Sequence, residues 1–166
     1  ESRGAAPYCE IAGWGLSAAP CALNDWPSDP AGPALAITRA LQSAGIEPGR
    51  VDLVSAAANG SRHADPLEAA ALERVFPGPS LRPRVCALKG ALGEAFSSGG
   101  VRAAAMALSI RQGALPPTVG LREPIAPLSF VLQPEAGVPV RWGLVNAVSS
   151  GGTFASLVLK SVRATP

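Results

Sequence analysis

Histidine, lysine and long apolar runs are scarce in this sequence of 166 residues, which has one histidine, His63, and two lysines. The three cysteines, Cys9, Cys21 and Cys86, form no Cys-x-x-Cys pair. One histidine and three unrelated cysteines give no plausible zinc site, so no metal is expected. We interpret the cysteines as reduced thiols, some of them buried.

Membrane and nucleic-acid binding are also disfavoured by what is missing. No apolar run approaches the roughly 20 residues that a membrane span needs. The first residues, ESRGAAPYCE, show no basic start followed by an apolar stretch, so no signal peptide is expected. The 14 basic residues are scattered, and the formal charge is only +2. We therefore expect a cytoplasmic protein with no membrane and no nucleic-acid partner.

The composition that is present fits one globular domain. Apolar residues make up 48% of the chain and charged residues 16%, which is enough to bury a core over residues 1–166. The abundance of Ala, Gly, Pro and Arg is typical of a GC-rich bacterial genome, and it carries no information about function.

Apolar periodicity predicts strands and helices in alternation. The predicted strands are Tyr8–Leu16, Val51–Ala56, Arg84–Leu88, Leu128–Leu132, Trp142–Val148 and Thr153–Lys160. Helices are predicted over Pro33–Ala44, from Asp65 to about Phe76, and from about Ser98 to Gln112, and the last is expected to be nearly fully buried around Ala103–Ala107. The order favours an α/β fold, a mixed, mainly parallel five-stranded sheet with helices on its faces and a closing antiparallel hairpin.

Two polar loops at strand ends are the candidate site. The first follows Val51–Ala56 and leads into Asp65-Pro66-Leu67-Glu68, which predicts an N-cap Asp, a Pro in the first turn and a Glu that closes a capping box. The second follows Arg84–Leu88 and begins at Lys89. In α/β proteins, loops that leave neighbouring strand ends meet and build sites.

Five stretches of the chain carry a family resemblance. They are YCEIAGWGLS, VDLVSAAANGSRHADPLEAAALERVF, VCALKGALGEAFSSGG, RQGALPPTVGL and NAVSSGGTFASLVLKS, in this order. Together they resemble the C-terminal half of a β-ketoacyl synthase, one of the thiolase-fold condensing enzymes of fatty-acid and polyketide synthesis. The resemblance implies a thiolase-like half. It also implies that the nucleophilic Cys lies in an N-terminal half, because no cysteine here stands in a similar context.

The resemblance places substitutions at the chemical positions. In active members an Asn-Ala-His-Gly-Thr motif and a later Gly-His supply two histidines that stabilise negative charge, and Ala57 and Glu94 stand at these positions. A carboxylate at Glu94 would oppose the enolate charge unless it were protonated. In the closing hairpin, Ser150 stands at the position of a gating Phe and Phe154 at the position of an Asn, beside Gly151 and Gly152. No catalytic residue is therefore assigned to this half.

Other family features are retained. Lys89 matches the family Lys and Glu68 an acidic residue, which predicts a structural ion pair between them. The alternative is that Glu68 closes the capping box and Lys89 is solvated. We interpret Asp65 as a helix cap and His63 as a surface loop residue, in preference to catalytic roles.

The resulting hypothesis is a non-catalytic subunit or half-subunit like a chain-length factor, in a fatty-acid or polyketide condensing complex. Its expected partners are an N-terminal ketosynthase half or a catalytic ketosynthase chain, in a hetero-oligomer, and an acyl carrier protein. The chain itself needs no cofactor; the carrier's phosphopantetheine arm is expected at the complex. Trp14, Trp26 and Phe154 are candidate tunnel residues. The alternatives are a divergent active synthase, with Glu94 or His63 replacing the lost histidines and Cys on another chain, and a structural protein that reuses the fold.

Overall fold

The computed structural model describes residues 3–78, 81–95 and 98–162. The helices are α1 (Ala31–Ala44), α2 (Ala64–Val75), the single turn α3 (Lys89–Leu92) and α4 (Ser98–Gln112), with a short 3₁₀ turn at Pro48–Arg50. The strands are β1 (Glu10–Ala18), β2 (Leu53–Ser55), β3 (Arg84–Cys86), β4 (Ala114–Leu115), β5 (Ser129–Phe130), β6 (Glu135–Ala136), β7 (Trp142–Ser149) and β8 (Thr153–Lys160).

A mixed sheet of six strands forms the centre of the domain, in the order β1-β8-β7-β2-β3-β5. Strand β8 pairs antiparallel with β1 and β7, and the other pairs in this sheet are parallel, so the predicted α/β, mainly parallel sheet is confirmed. The predicted count of five strands is wrong. The sheet has a sixth strand because β5, a two-residue part of the strand predicted at Leu128–Leu132, adds to the edge of β3, while β4 and β6 form a separate pair.

Helices cover both faces of the sheet. Successive residues of a strand point to opposite faces. Val54 and Leu144 accordingly pack with α1 and α2, whereas their neighbours Leu53 and Val145 pack with Met106 of α4. The strands are therefore apolar in near-continuous runs, as expected for a sheet buried on both sides.

The two glycines of β1 allow α1 to lie directly on this strand. A Cβ atom on Gly15 would lie 2.1 Å from the carbonyl oxygen of Ala36, and one on Gly13 would lie 2.6 Å from that of Ala40. No side chain fits in such a gap, so both positions require glycine. Because Gly13 and Gly15 face α1, Trp14 and Leu16 face the α4 side, where they are 62% and 55% exposed.

The prediction that α4 is almost fully buried is wrong for this domain. Its buried residues are Arg102, Met106, Ser109 and Ile110, which face the sheet. On the opposite side Ala104 is exposed, as are Val101 (54%) and Leu108 (45%). The small side chains of α4 thus leave an apolar surface that no other described element covers.

Candidate functional site

The first loop runs from Ala56 to Ser61, at the carboxyl end of β2. Asp65 holds it from the first turn of α2, because its carboxylate accepts hydrogen bonds from the backbone N–H groups of Asn59 (3.1 Å) and Gly60 (2.9 Å). The predicted N-cap role of Asp65 is wrong. The helix begins at Ala64 with His63 in the cap position, and the Ser61 hydroxyl accepts from the N–H of Ala64 at 3.1 Å.

Glu68 lies at the centre of a buried polar network beneath this loop. Its side chain is only 2% exposed. Its Oε1 accepts from the N–H of Ala57 at 2.8 Å and from Nδ2 of Asn146 at 2.7 Å. The Asn146 Oδ1 in turn accepts from the Ser156 hydroxyl at 2.7 Å. Burial raises the pKa of Glu68, although both hydrogen bonds and the charge of Arg102 act in the other direction.

Arg102 reaches the same network from α4 and is also only 2% exposed. Its Nη1 donates to the carbonyl oxygens of Asn146 (2.6 Å), within β7, and Ser55 (3.3 Å), the last residue of β2. Burial lowers the pKa of the guanidinium, and the carboxylates of Glu68 and Glu94 oppose that shift. The buried Arg102 side chain therefore links β7 and β2, which are neighbouring parallel strands, to α4.

The second loop brings Glu94 back onto Lys89. After the single turn of α3, Gly93 adopts a φ of 79° and turns the chain. Glu94 Oε2 then accepts from Lys89 Nζ at 2.6 Å and from Asn59 Nδ2 at 2.6 Å. This Lys89–Glu94–Asn59 cluster joins the two loops, so the expected meeting of the loops at the strand ends is found.

The predicted ion pair between Glu68 and Lys89 is wrong. The alternative, in which Glu68 closes a capping box and Lys89 is solvated, is also wrong. Lys89 pairs with Glu94 instead, and its side chain is only 10% exposed, so it is not solvated. Glu68 bonds to Ala57 and Asn146 and does not close a capping box. The reason is geometric: α2 turns Glu68 towards the sheet, while the turn at Gly93 supplies Lys89 with a nearer carboxylate.

A cavity of about 490 Å³ lies where the loops meet the closing hairpin. Ala57, Glu94 and Lys89 line it on one side, and Ser150 and Phe154 on the other. Phe154 is fully buried and packs with Ala36 and Leu67, whereas Ser150 and Gly151 are exposed at the turn. The glycines are required here: Gly151 has a φ of 81°, and a Cβ atom on Gly152 would lie 1.9 Å from the carbonyl oxygen of Ala19.

The long loop after β1 closes one side of this cavity. Its Asp25 carbonyl accepts from the N–H of Gly151 at 3.0 Å, and Ala19 donates to the carbonyl of Gly152 at 2.8 Å. Trp26 lines the cavity and packs beside Phe154. Of the three candidate tunnel residues, Trp26 and Phe154 therefore lie at the cavity, while Trp14 lies on the exposed surface of β1.

Comparison with known proteins identifies the family of this chain. The family model for the β-ketoacyl synthase C-terminal domain matches residues 8–122. The chain belongs to the β-ketoacyl synthase family.

Similar proteins contain this domain as part of a longer chain. A mitochondrial 3-oxoacyl-[acyl-carrier-protein] synthase of Arabidopsis thaliana is 33% identical over 98% of this chain, which corresponds to 36% of that protein. The solved ishigamide ketosynthase/chain length factor is 32% identical with a TM-score of 0.89, and a type II polyketide ketosynthase in complex with its acyl-carrier protein is 26% identical with a TM-score of 0.89. Each match covers 98% of this chain and 40% of the solved one.

The cysteines of this ketosynthase domain do not supply a nucleophile at the cavity. None of the described residues that line it is a cysteine or a histidine. Cys86 is only 1% exposed, and burial raises the pKa of its thiol to about 12, so it stays protonated at neutral pH. All three cysteines are free thiols, as predicted, and burial also raises the pKa of Cys9.

Glu94 is held as a carboxylate. Its slight burial acts to raise its pKa, but the hydrogen bonds from Lys89 and Asn59 and the charge of Lys89 outweigh that and lower the pKa overall. The protonated form of Glu94, considered above as a replacement for the family histidine, is thereby disfavoured. His63 is exposed and does not line the cavity, which agrees with its interpretation as a surface residue.

Three buried residues of the site were not found from the sequence: Asn146, Ser156 and Arg102. Asn146 and Ser156 lie within apolar strand patterns, where a buried polar residue is the informative exception. Arg102 stands among alanines at the start of a helix, where a solvated position would be the usual interpretation. In the described ranges, no group of histidine, cysteine or acidic side chains could hold a metal ion, and no helix is long and apolar enough to cross a bilayer.

Proposed function

We propose that this domain is the C-terminal half of a non-catalytic ketosynthase-like subunit of the chain-length-factor type. It would act within a fatty-acid or polyketide condensing complex, on chains carried by the phosphopantetheine arm of an acyl carrier protein. The observation that carries the proposal is the Lys89–Glu94–Asn59 cluster beside Ala57, at the positions where the family resemblance implies two histidines.

The electrostatics of this cluster oppose the condensation chemistry. Decarboxylation of a malonyl thioester develops negative charge on the thioester oxygen, which positioned hydrogen-bond donors must stabilise. Glu94 presents a carboxylate, and the Lys89 ammonium already binds it at 2.6 Å. The Ala57 side chain has no donor, and its N–H is bound to Glu68. Neither position can therefore stabilise an oxyanion.

The known relatives support the wider setting of the proposal. One structural neighbour is a ketosynthase/chain length factor and another is a ketosynthase in complex with its acyl-carrier protein. Since this chain spans 36–40% of the relatives described above, a cysteine-bearing half on the same or another polypeptide is needed for condensation.

The exposed apolar surface on the α4 side is the proposed docking site for that other half. It consists of Trp14, Leu16, Val101, Ala104 and Leu108. Exposed apolar surfaces of this kind mark interaction sites, and burying one by association would remove the cost of exposing a tryptophan and two leucines to water.

The proposed lack of catalysis is tested with malonyl-acyl carrier protein. The complex of this chain with its cysteine-bearing partner is incubated with that substrate, and release of CO₂ is compared among wild type, Glu94→Ala and His63→Ala. Exposed Glu123→Ala serves as the matched control. We expect equal rates in all four. Loss of decarboxylation in Glu94→Ala or His63→Ala, with an unchanged circular dichroism spectrum, would support the divergent active enzyme instead.

The docking surface is tested with Ala104→Arg. Since Ala104 is exposed in the domain, a charge there should leave the free energy of unfolding of this half within about 0.5 kcal/mol of wild type. Buried under the partner half, the same charge would be desolvated and unpaired, so co-purification should be lost. Ser43→Arg, on the exposed side of α1, is the control. Undiminished co-purification of Ala104→Arg would exclude this surface.

A further inference from the structure

A second cavity lies on the α1/α2 side of the sheet. Its volume is about 300 Å³, and it lies between α2 and the segment 118–130 that leads into β5. We call it the outer cavity. It shares a wall with the candidate site, formed by Ala58, Asn59, Asp65 and Glu68, but it contains neither Ala57 nor Glu94. The proposed condensing function makes no use of it.

The outer cavity is lined mainly by aliphatic side chains. Leu72, Val85 and Leu128 belong to the core on this side and form its floor. Val119 and Ile125 also line it and remain 50% and 62% exposed. Large apolar side chains that remain exposed in a concave, mainly apolar cavity are typical of a ligand-binding pocket.

The polar groups of the outer cavity select against anions. Its described lining residues include the acidic Asp65 and Glu68 and no lysine, arginine or histidine. Both oxygens of Asp65 already accept backbone N–H groups. Both hydrogen bonds that Glu68 accepts end on Oε1, which leaves Oε2 with no partner among the described residues. A nearly fully buried carboxyl group therefore has one oxygen free to bond a ligand.

The volume of the outer cavity and the charges of its lining residues together indicate the class of ligand. A cavity of about 150 Å³ holds benzene, so one twice as large holds roughly ten to twelve non-hydrogen atoms. A carboxylate ligand would meet two acidic groups and no cation among the described lining residues, which costs free energy in a site of low dielectric constant. A hydroxyl group both donates and accepts, so it suits Glu68 in either protonation state.

We propose that the outer cavity binds an uncharged, mainly aliphatic alcohol of about ten non-hydrogen atoms, with its hydroxyl group on Glu68, and that it excludes the corresponding carboxylate. This site differs in place and in chemistry from a tunnel for thioester-bound chains. Failure of the proposed condensing function would leave this inference intact.

The test is a titration of the ¹⁵N-labelled full chain, with any polypeptide it binds, by 1-octanol and by octanoate, which have the same chain length. We expect saturable amide shifts for residues 118–121 with 1-octanol, and affinity at least about tenfold weaker for octanoate, a difference of about 1.4 kcal/mol. Equal or tighter binding of octanoate, or no saturable binding of 1-octanol, would overturn the proposal. This comparison uses wild type alone and does not depend on any variant folding.

A second test uses a variant whose larger side chain fills part of the outer cavity. Ala69 is buried, lines the outer cavity and does not line the candidate site. Ala69→Leu should reduce 1-octanol affinity by about tenfold or more, because the added carbons take the space of the ligand. Ala70→Leu, the neighbour on α2 that lines neither cavity, should bind as wild type does. Unchanged binding by folded Ala69→Leu would place the ligand elsewhere and contradict the assignment.

Discussion

Glu68 and Glu94 both line the candidate cavity, yet their surroundings shift their pKa values in opposite directions. Glu68 is only 2% exposed, and its hydrogen bonds come from uncharged donors, the N–H of Ala57 and the amide of Asn146. The Glu94 side chain is 47% exposed and binds the Lys89 ammonium directly. Burial thus dominates the pKa shift of Glu68, whereas at Glu94 the hydrogen bonds from Lys89 and Asn59 and the charge of Lys89 together outweigh burial.

The difference separates structural from chemical roles in this site. Removing Glu68 would leave buried donors without partners, which makes it part of the framework. Glu94 contributes less to the framework and places a carboxylate, paired with Lys89, beside Ala57 in the cavity. The four predictions that follow contrast these two carboxylates, from the largest expected effect to the smallest.

Glu68→Ala should have the largest effect on stability. The change leaves the N–H of Ala57 and the amide of Asn146 without their acceptor and removes the carboxylate that interacts most strongly with the Arg102 charge. We expect a loss of about 3–5 kcal/mol in the free energy of unfolding, measured with urea. Glu68→Gln keeps the acceptor and is the control; equal losses in both variants would mean that the charge, and not the hydrogen bonds, is essential.

The pH dependence of stability should change sign between the two carboxylates. Because the folded pKa of Glu68 is raised, its contribution to stability is fully present below about pH 4.3, the ordinary pKa of Glu, and is lost as pH rises through the raised value. Glu68→Gln should therefore gain stability relative to wild type as pH rises from about 4 to 8. Urea unfolding over that range tests this, and a relative loss at high pH would contradict the shift.

Ser156→Ala should have an intermediate effect. The hydroxyl donates to Asn146 Oδ1 at 2.7 Å and is buried, so its removal leaves one buried acceptor unpaired. The expected loss is about 1–2 kcal/mol in the free energy of unfolding. In the Glu68→Ala background the loss should be smaller, because the shared network is already broken. Full additivity in this double-mutant cycle would show that the two residues are independent.

Glu94→Gln should have the smallest effect on stability. The carboxylate is about half exposed, so its pair with Lys89 should contribute about 0.5–1 kcal/mol at neutral pH. Since the folded pKa is lowered, that contribution is present above about pH 4.3 and is lost as pH falls through the lowered value. Thermal unfolding at two salt concentrations provides the measurement: the difference from wild type should shrink in high salt.

Much of the fold could be predicted from local patterns. The elements were predicted to within a few residues from apolar periodicity and from the Ser-Ser-Gly-Gly turn. Both signals depend only on residues that are close together in the sequence. The burial of α4 could not be predicted in the same way. Its alanines fit a central helix, but Ala104 is exposed because no other described element covers that side of the helix.

The location of the site could be predicted from the sequence, but the contacts between its side chains could not. The two loops meet, as the positions of β2 and β3 require, and Ala57 and Glu94 line one cavity. The partner of Lys89 was mispredicted because it depends on the turn at Gly93, where a φ of 79° returns Glu94 to the lysine. The burial of Glu68 was also missed. Its position in the sequence fits a capping box, whereas its burial depends on how α2 packs on the sheet.

The most direct measurement is a ¹³C NMR titration of the Glu68 and Glu94 carboxyl groups in the assembled protein, assigned with Glu68→Gln and Glu94→Gln. The proposed non-catalytic site predicts that Glu94 titrates below about 4.3, the ordinary pKa of Glu, and Glu68 above it. A Glu94 pKa near neutral would contradict the account, because that carboxyl could then donate a proton to the negative charge that condensation develops.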